Sequence, residues 1–151
     1  MPTLSKTFWI KARDYLRAGE VSIEVRGILK KIGFDAELIR RVSICAYEAE
    51  MNVVMHGGDG TLRLVVDPGA IAVIVMDSGP GIENIELAMK EGYSTASEEA
   101  REMGFGAGMG LPNIKKNSDS LKIHSEKGKG ALVEISFIPE GGEGGNKEST
   151  I

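Results

Sequence analysis

The sequence is poor in cysteine, in aromatic residues and in long apolar runs. A single cysteine, Cys45, among 151 residues excludes a disulfide framework within the chain and is typical of proteins in a reducing compartment. No apolar run approaches the ~20 residues of a membrane-spanning helix, and residues 1–6 lack the apolar core of a signal peptide. These absences predict a cytoplasmic protein that makes no contact with a membrane.

An excess of positive charge is also missing. Lysine and arginine number 18 against 22 aspartate and glutamate residues, which gives a formal net charge of −4. A chain of this charge has no global positive potential to recruit nucleic acid, so we expect no direct nucleic-acid partner. The lysines between Lys115 and Lys129 indicate either a solvated surface or the neighbourhood of a bound polyphosphate.

The chain has enough apolar residues, 42% of the total, to form one compact core. We therefore predict a single domain over residues 1–139. The last residues, 140–151, are rich in glycine and glutamate, cannot bury apolar surface, and are predicted to be a disordered tail.

One predicted helix, over residues 36–56, carries the first functional signal. Glu48 and Asn52 are four residues apart, so a helix presents them on one face, about one turn from each other. A carboxylate can take a proton from a hydroxyl group or a water. An amide oxygen is a suitable ligand for Mg²⁺, which keeps its other positions for water and phosphate. Considered alone, the pair is also what an ordinary solvated helix face would show.

The remaining pattern predicts an α+β fold. Because helices and strand pairs are segregated along the chain, we expect a two-layer α/β sandwich, with helices on one face of a mixed, mostly antiparallel sheet. Strands are predicted at 4–11, 61–66, 71–76, 121–125 and 131–138, further helices at 17–32, 83–91 and 112–117, and a polar loop at 92–103.

The second signal is a short motif directly after the predicted central strand 71–76, Asp77-Ser78-Gly79-Pro80-Gly81. A carboxylate at the end of a buried strand is held in place and can accept a hydrogen bond from an amino group such as that of adenine. Gly79 and Gly81 let the backbone turn tightly and approach a flat ligand. A simple turn headed by an aspartate explains the motif equally well.

The third signal is a run of alternating glycines that leads into a predicted helix. Such a run exposes backbone N–H groups to an anion, and the helix that follows adds its N-terminal dipole. The spacing does not match the dinucleotide-binding fingerprint or a P-loop. The residues of this run that we take as candidates for nucleotide binding are Gly104, Gly106, Gly108, Met109, Gly110 and Leu111.

The three signals in this order resemble the nucleotide-binding boxes of the Bergerat (GHKL) ATPase superfamily, over about residues 4–139. Two segments, Glu91-Gly92-Tyr93-Ser94-Thr95 and Gly108 to Lys115, are most similar to the small serine kinases of anti-sigma-factor and stressosome switch pathways. The resemblance implies the Bergerat ATP-binding fold and a Mg²⁺-ATP-dependent serine/threonine protein kinase. Its substrate would be a small STAS-type regulatory protein. A sigma factor or a phosphatase is a further implied partner, and whether the chain forms a homodimer is left open.

The resemblance also implies roles for individual residues. Glu48 would be the general base, Asn52 would hold Mg²⁺ against the triphosphate, and Asp77 would bind the adenine amine. Gly79 and Gly81 would shape the wall of the adenine site. Residues 104–111 would cover the phosphates and residues 92–103 would form the ATP lid. Phosphoryl transfer needs mainly positioning and charge neutralisation, so one base, one metal and a backbone cradle suffice.

Three features depart from the family pattern. Ala131 stands where a threonine commonly helps the carboxylate to hold adenine, and Met51 stands where many switch kinases have arginine. The segment 96–103 is longer than the most similar pattern. An alternative function is a nucleotide-gated binding module without efficient transfer. A histidine-kinase catalytic domain or a gyrase-type hydrolase is disfavoured, because we expect no phosphoacceptor helix pair and no transducer domain in this chain.

Overall fold

A computed structural model of the chain describes residues 3–56, 58–82, 85, 89–90 and 110–139. Within these residues the helices and strands follow one another along the chain in the order that the sequence predicts. They are β1 (Leu4–Ile10), α1 (Glu20–Ile32), α2 (Ala36–His56), β2 (Gly60–Asp67), β3 (Ala70–Asp77), α3 (Gly110–Asn117), β4 (Ser120–Glu126) and β5 (Gly130–Phe137).

The strands form one five-stranded sheet in the order β1-β2-β3-β5-β4. Neighbouring strands are antiparallel at each of the four described pairings, so the mixed sheet of the prediction is antiparallel here. β3 lies in the middle of the sheet, as its apolar sequence predicts. Its last residue, Asp77, is opposite Gly60 of β2 on one side and Ala131 of β5 on the other.

The helices cover one face of this sheet. Alternate residues of β2 and β3, such as Leu64 and Val73, are fully buried under α1 and α2, as the two-residue period of a strand requires. The opposite face is open to solvent, where Trp9 is 82% and Met76 54% exposed. The predicted two-layer α+β sandwich is therefore confirmed. One face of α2 is an apolar stripe of residues that are each at most 8% exposed, which consists of Leu38, Ile39, Val42, Cys45, Ala46, Ala49 and Val53.

The bounds of α2 follow from its sequence. Asp35 caps its first turn, because its Oδ1 accepts the N–H of Leu38 at 2.7 Å. Gly33 ends α1 in the left-handed conformation, with φ of 100°, and its N–H donates to the carbonyl oxygen of Leu29 at 3.1 Å. α3 begins at Gly110, two residues before the predicted start at residue 112, so Pro112 lies in its first turn.

The predicted start of α1 at residue 17 is wrong by three residues. Gly19 has φ of 100°, which no α-helix includes, and the helix begins at Glu20. Because glycine has no side chain to cap the helix, the buried carboxylate of Glu50 does so from α2. It accepts N–H groups from Gly19 at 2.9 Å and Ser22 at 3.0 Å. Burial raises the pKa of Glu50, and these N–H groups oppose the rise.

Some predictions concern residues outside the described part of the chain. These are most of the short helix 83–91, the loop 92–103, the glycines of 104–109 and the tail 140–151. In the part of the chain that the structure describes, no helix has both the length and the apolar character needed to cross a membrane.

His56, at the end of α2, predicts a pH dependence of stability. Burial lowers its pKa below the ordinary 6.5, and the charge of Arg13 adds to this effect. Below about pH 6.5, the His56 imidazole therefore binds a proton more readily in the unfolded chain than in the folded chain. The stability contributed by the neutral imidazole is present above that pH and is lost as the pH falls through it. We expect the free energy of unfolding in urea to decrease from pH 7 to pH 5, and His56→Gln to reduce this slope.

The matched control is His124→Gln, since His124 lies exposed on β4. It should leave the slope of the wild-type chain unchanged. Equal slopes in the wild type and in His56→Gln would contradict the assignment of the pH dependence to His56.

Candidate functional site

The C-terminal half of α2 presents Glu48 and Asn52 together. Both side chains are half-buried, and both lie on the uninterrupted helix Ala36–His56. Their neighbours Ala49 and Met51 are buried in the core, with 2% of each exposed. The face that carries Glu48 and Asn52 is therefore the edge between the core stripe and solvent, as the four-residue spacing predicts.

The helix α3 packs along this edge and runs antiparallel to α2. Its first residue, Gly110, lies beside Asn52, where an added β-carbon would be 3.2 Å from Asn52 Oδ1. One turn further along α3, Asn113 Nδ2 donates a hydrogen bond of 2.7 Å to Glu48 Oε2. Since any side chain at position 110 would crowd the Asn52 amide, glycine is the residue that lets the first turn of α3 approach α2 this closely.

Arg41 binds the C-terminal end of α3. Its Nε donates to the carbonyl oxygen of Asn117 at 2.9 Å, and its Nη2 lies 3.1 Å from Asp119 Oδ1 in an ion pair that is largely buried. Asp119 Oδ2 in turn accepts the N–H of Ile138 at 2.8 Å. The guanidinium also lies 5.8 Å from the centre of the Phe137 ring. These contacts hold α3 against both α2 and the sheet.

An open groove with a volume of about 380 Å³ lies between α2 and α3. Glu48 is one of the residues that line this groove, whereas Asn52, one turn away, lies beside Gly110. The residues that line the groove are Ser43, Ile44, Tyr47, Glu48, Asn113 and Asn117.

Cys45 lies on the same helix but takes no part in this chemistry. Burial raises the pKa of its thiol to about 12, and the neighbouring Glu48 adds to the rise. Its Sγ lies 3.6 Å from the carbonyl oxygen of Ile114, as a weak donor. A thiol with this pKa holds its proton at neutral pH, so Cys45 is not a nucleophile.

The second group of candidate residues lies at the end of β3. Asp77 is half-buried on the helix-covered side, and its Oδ1 accepts the N–H of Gly79 at 2.8 Å. Gly60 and Ala131 flank it on the neighbouring strands. A side chain at Gly60 would collide with the carbonyl oxygen of Met76, so glycine permits the close pairing that fixes Asp77.

The loop after Asp77 is held by hydrogen bonds from two sides. Ser78 donates its N–H to the carbonyl oxygen of Asp59 at 3.2 Å, and Ile82 donates its N–H to Ser125 Oγ at 2.6 Å. Gly81 has φ of 83°, and an added β-carbon there would lie 2.7 Å from the carbonyl oxygen of Glu126. Gly81 therefore has a packing role against the β4–β5 turn, besides the ligand contact that the sequence suggests.

The predicted site residues thus form two described groups, Glu48 with Asn52 and Gly110, and Asp77 with Gly79 and Gly81. Leu111 is 5% exposed and packs in the core, so only its main chain is available to a ligand. The remaining predicted ligands lie outside the described residues, namely Gly104, Gly106, Gly108 and Met109.

Two polar residues of the site escaped the sequence analysis. Asn113 contacts Glu48 across 65 positions of the chain, and Ser125 contacts Ile82 across 43. No local spacing connects such pairs. The only signal for Asn113 was its place just after the glycine run, three residues beyond Gly110.

The described residues suit Mg²⁺ bound together with phosphate rather than a metal held by protein alone. Among them, no three histidine, cysteine, aspartate or glutamate side chains are grouped to hold a metal ion. Asn52 offers one neutral oxygen, which fits the preference of Mg²⁺ for few protein ligands, water and phosphate oxygens.

Comparison with known proteins identifies the family of the chain. The model of the histidine kinase-like ATPase domain family matches residues 12–137. The serine/threonine-protein kinase RsbT of Bacillus subtilis is 29% identical over 113 residues, which are 72% of this chain and 79% of that protein. An anti-sigma F factor of Clostridium acetobutylicum is 35% identical over 102 residues, covering 64% of this chain and 68% of that protein.

The fold is also similar to a solved structure. The mycobacterial sensor histidine kinase MprB superposes with a TM-score of 0.51 over 90% of this chain and 98% of the compared chain. Their sequences are 15% identical, so this likeness concerns the fold alone. From the family model, the relatives and the described architecture together, the chain belongs to the histidine kinase-like ATPase family of the GHKL superfamily.

Proposed function

We propose that the chain is a Mg²⁺-ATP-dependent serine/threonine protein kinase that acts in the cytoplasm. The observation that carries the proposal is Glu48, a carboxylate held by Asn113 at 2.7 Å, one helical turn from Asn52 and open to a groove. Of the two relatives named above, the name of RsbT describes a serine/threonine-protein kinase, and the second relative is an anti-sigma F factor.

In this proposal Asp77 accepts a hydrogen bond from the adenine amine, and Gly79 and Gly81 shape the adjoining wall. Support comes from the placement of the Asp77 carboxylate at the end of the central strand, between Gly60 and Ala131. Asn52 would be the protein ligand of Mg²⁺, and the glycine run that ends at Gly110 would cover the phosphates. When bound, the metal would neutralise phosphate charge.

Glu48 would act as the general base. It would take the proton from the serine or threonine hydroxyl as that oxygen bonds to the γ-phosphorus. The bond from the γ-phosphorus to the β–γ bridging oxygen would break, and ADP would leave with the electron pair. The groove beside Glu48 supports this role, because it gives a hydroxyl on a protein segment a path to the carboxylate.

The proposed substrate is a small regulatory protein of the STAS type, by resemblance to the switch kinases. A sigma factor or a phosphatase as a second partner, and a homodimer of the chain, stay predictions. If ATP is bound but no partner is phosphorylated, the chain is a nucleotide-gated binding module instead.

The substitution Ala131→Thr tests the adenine site. Because Ala131 lies directly opposite Asp77, a threonine hydroxyl there would reach the region of the carboxylate and add one hydrogen bond to the bound base. We expect ATP affinity in calorimetry to rise roughly fivefold, since one hydrogen bond contributes about 1 kcal/mol. Asp77→Asn should lose most of the affinity in the same titration.

The matched control for this titration is Ser136→Thr, on the same strand, paired with Ala72 of β3 near the other end of the sheet. It should leave ATP affinity unchanged. An unchanged affinity in both Ala131→Thr and Asp77→Asn would place the adenine elsewhere.

The substitution Glu48→Gln tests the transfer step. Glutamine keeps the shape of the side chain and still accepts the Asn113 N–H, but it cannot take a proton. With γ-labelled ATP and a panel of STAS-domain proteins, we expect the wild type to label one of them on serine or threonine. Glu48→Gln should reduce the rate of labelling by roughly 10²–10⁴-fold, as general-base catalysis contributes about that much, and should bind ATP as tightly as the wild type.

The control is Glu37→Gln, which removes a carboxylate from the first turn of the same helix, at a residue that does not line the groove. Labelling at the wild-type rate by Glu48→Gln would refute the role of the base. Tight ATP binding without labelling of any STAS protein would favour the binding module.

A further inference from the structure

The hydrogen bond between Asn113 and Glu48 suggests a role for Asn113. The glycine run and the helix α2 do not by themselves account for this contact. Asn113 Nδ2 donates to only one carboxylate oxygen, Oε2, at 2.7 Å. A hydrogen bond to a charged acceptor is strong and directional. It fixes the rotation of the carboxylate and leaves Oε1 available to a second partner.

The position of Asn113 in α3 links the base to the phosphate region. Gly110 of the same helix lies against Asn52, and Asn113 lies against Glu48, so one turn of α3 faces one turn of α2. Arg41 holds the far end of α3 through the carbonyl oxygen of Asn117. Because α3 contacts α2 from Gly110 beside Asn52 to Asn117 beside Arg41, its docking sets the place of the Glu48 carboxylate relative to Asn52.

Resting on the kinase function proposed above, we infer that Asn113 is a positioning residue that orients the Glu48 carboxylate for proton abstraction. It acts through Glu48, by holding one oxygen so that the other is presented to the attacking hydroxyl or water. Misplacement of a catalytic group by about 1 Å can cost on the order of 10²-fold in rate.

The test is Asn113→Leu, which removes the donor at nearly constant volume and favours the helix more than asparagine does. The reaction is phosphate release from saturating Mg²⁺-ATP with water as the acceptor, so no partner protein is required. We expect kcat to fall roughly 10–100-fold. The KM for Mg²⁺-ATP and its calorimetric Kd should stay within about twofold of the wild-type values, because the nucleotide contacts are untouched.

The control is Ser118→Ala, which removes a side-chain hydrogen bond just beyond the end of α3. The Ser118 hydroxyl donates to the carbonyl oxygen of Lys115 at 3.5 Å and not to Glu48, and Ser118 is not among the residues that line the groove. It should keep the wild-type kcat.

The double variant separates positioning from mere packing. If Asn113 acts through the base, adding Asn113→Leu to Glu48→Gln causes no further loss of kcat. A further loss by the same factor as in the wild-type background would show that Asn113 acts on packing and would overturn the inference. So would a weakened Kd for Mg²⁺-ATP in Asn113→Leu.

Failure of the inference and failure of the proposed function give different results. A wild-type kcat in Asn113→Leu, with Glu48→Gln impaired, overturns the positioning role alone. If the wild type releases no phosphate above buffer, the rates are taken from the labelling reaction with the panel of STAS-domain proteins. A wild-type rate in Glu48→Gln overturns the role of the base, and with it the proposed function and the inference.

Discussion

The candidate site depends on the packing of α3 against α2. Four contacts follow one another along this interface, between Asn52 and Gly110, Glu48 and Asn113, Cys45 and Ile114, and Arg41 and Asn117. The first two involve the residues proposed for metal binding and proton transfer, and the last two anchor the helix. Because Cys45 and Ile114 are fully buried, the polar contacts at the edge of the interface rest on a core that cannot shift freely.

The sheet supplies the second half of the site by a different constraint, the close approach of backbones. Gly60 lies opposite Asp77 in the sheet and Gly130 precedes its other partner, Ala131. A side chain at Gly60 would collide with the carbonyl oxygen of Met76, and one at Gly130 with the carbonyl oxygen of Asp77. The carboxylate is thus set by strand pairing rather than by side-chain packing. β3 is paired with β2 over Ala70–Asp77 and with β5 over Ile71–Asp77, so its end at Asp77 is held from both sides and is a fixed place for a binding residue.

Much of this arrangement could be predicted from the sequence. The periodicity of residues 36–56 located α2 with both ends correct, and a mostly antiparallel sheet with helices on one face followed from the order of the elements. The start of α1 was misplaced, because its cap is the carboxylate of Glu50, 28 residues beyond Ser22. Asn113 was missed for the same reason, since contacts between distant segments have no periodic signature. The residue roles at the site stay predictions.

The most direct test of this account is a crystal structure of the chain with Mg²⁺ and a non-hydrolysable ATP analogue. We expect the adenine amine to donate to Asp77, and the metal to be bound by Asn52 Oδ1 and by phosphate oxygens. Adenine in the groove between α2 and α3, against Ser43 and Asn117, would contradict it. So would a metal whose coordination shell lacks Asn52.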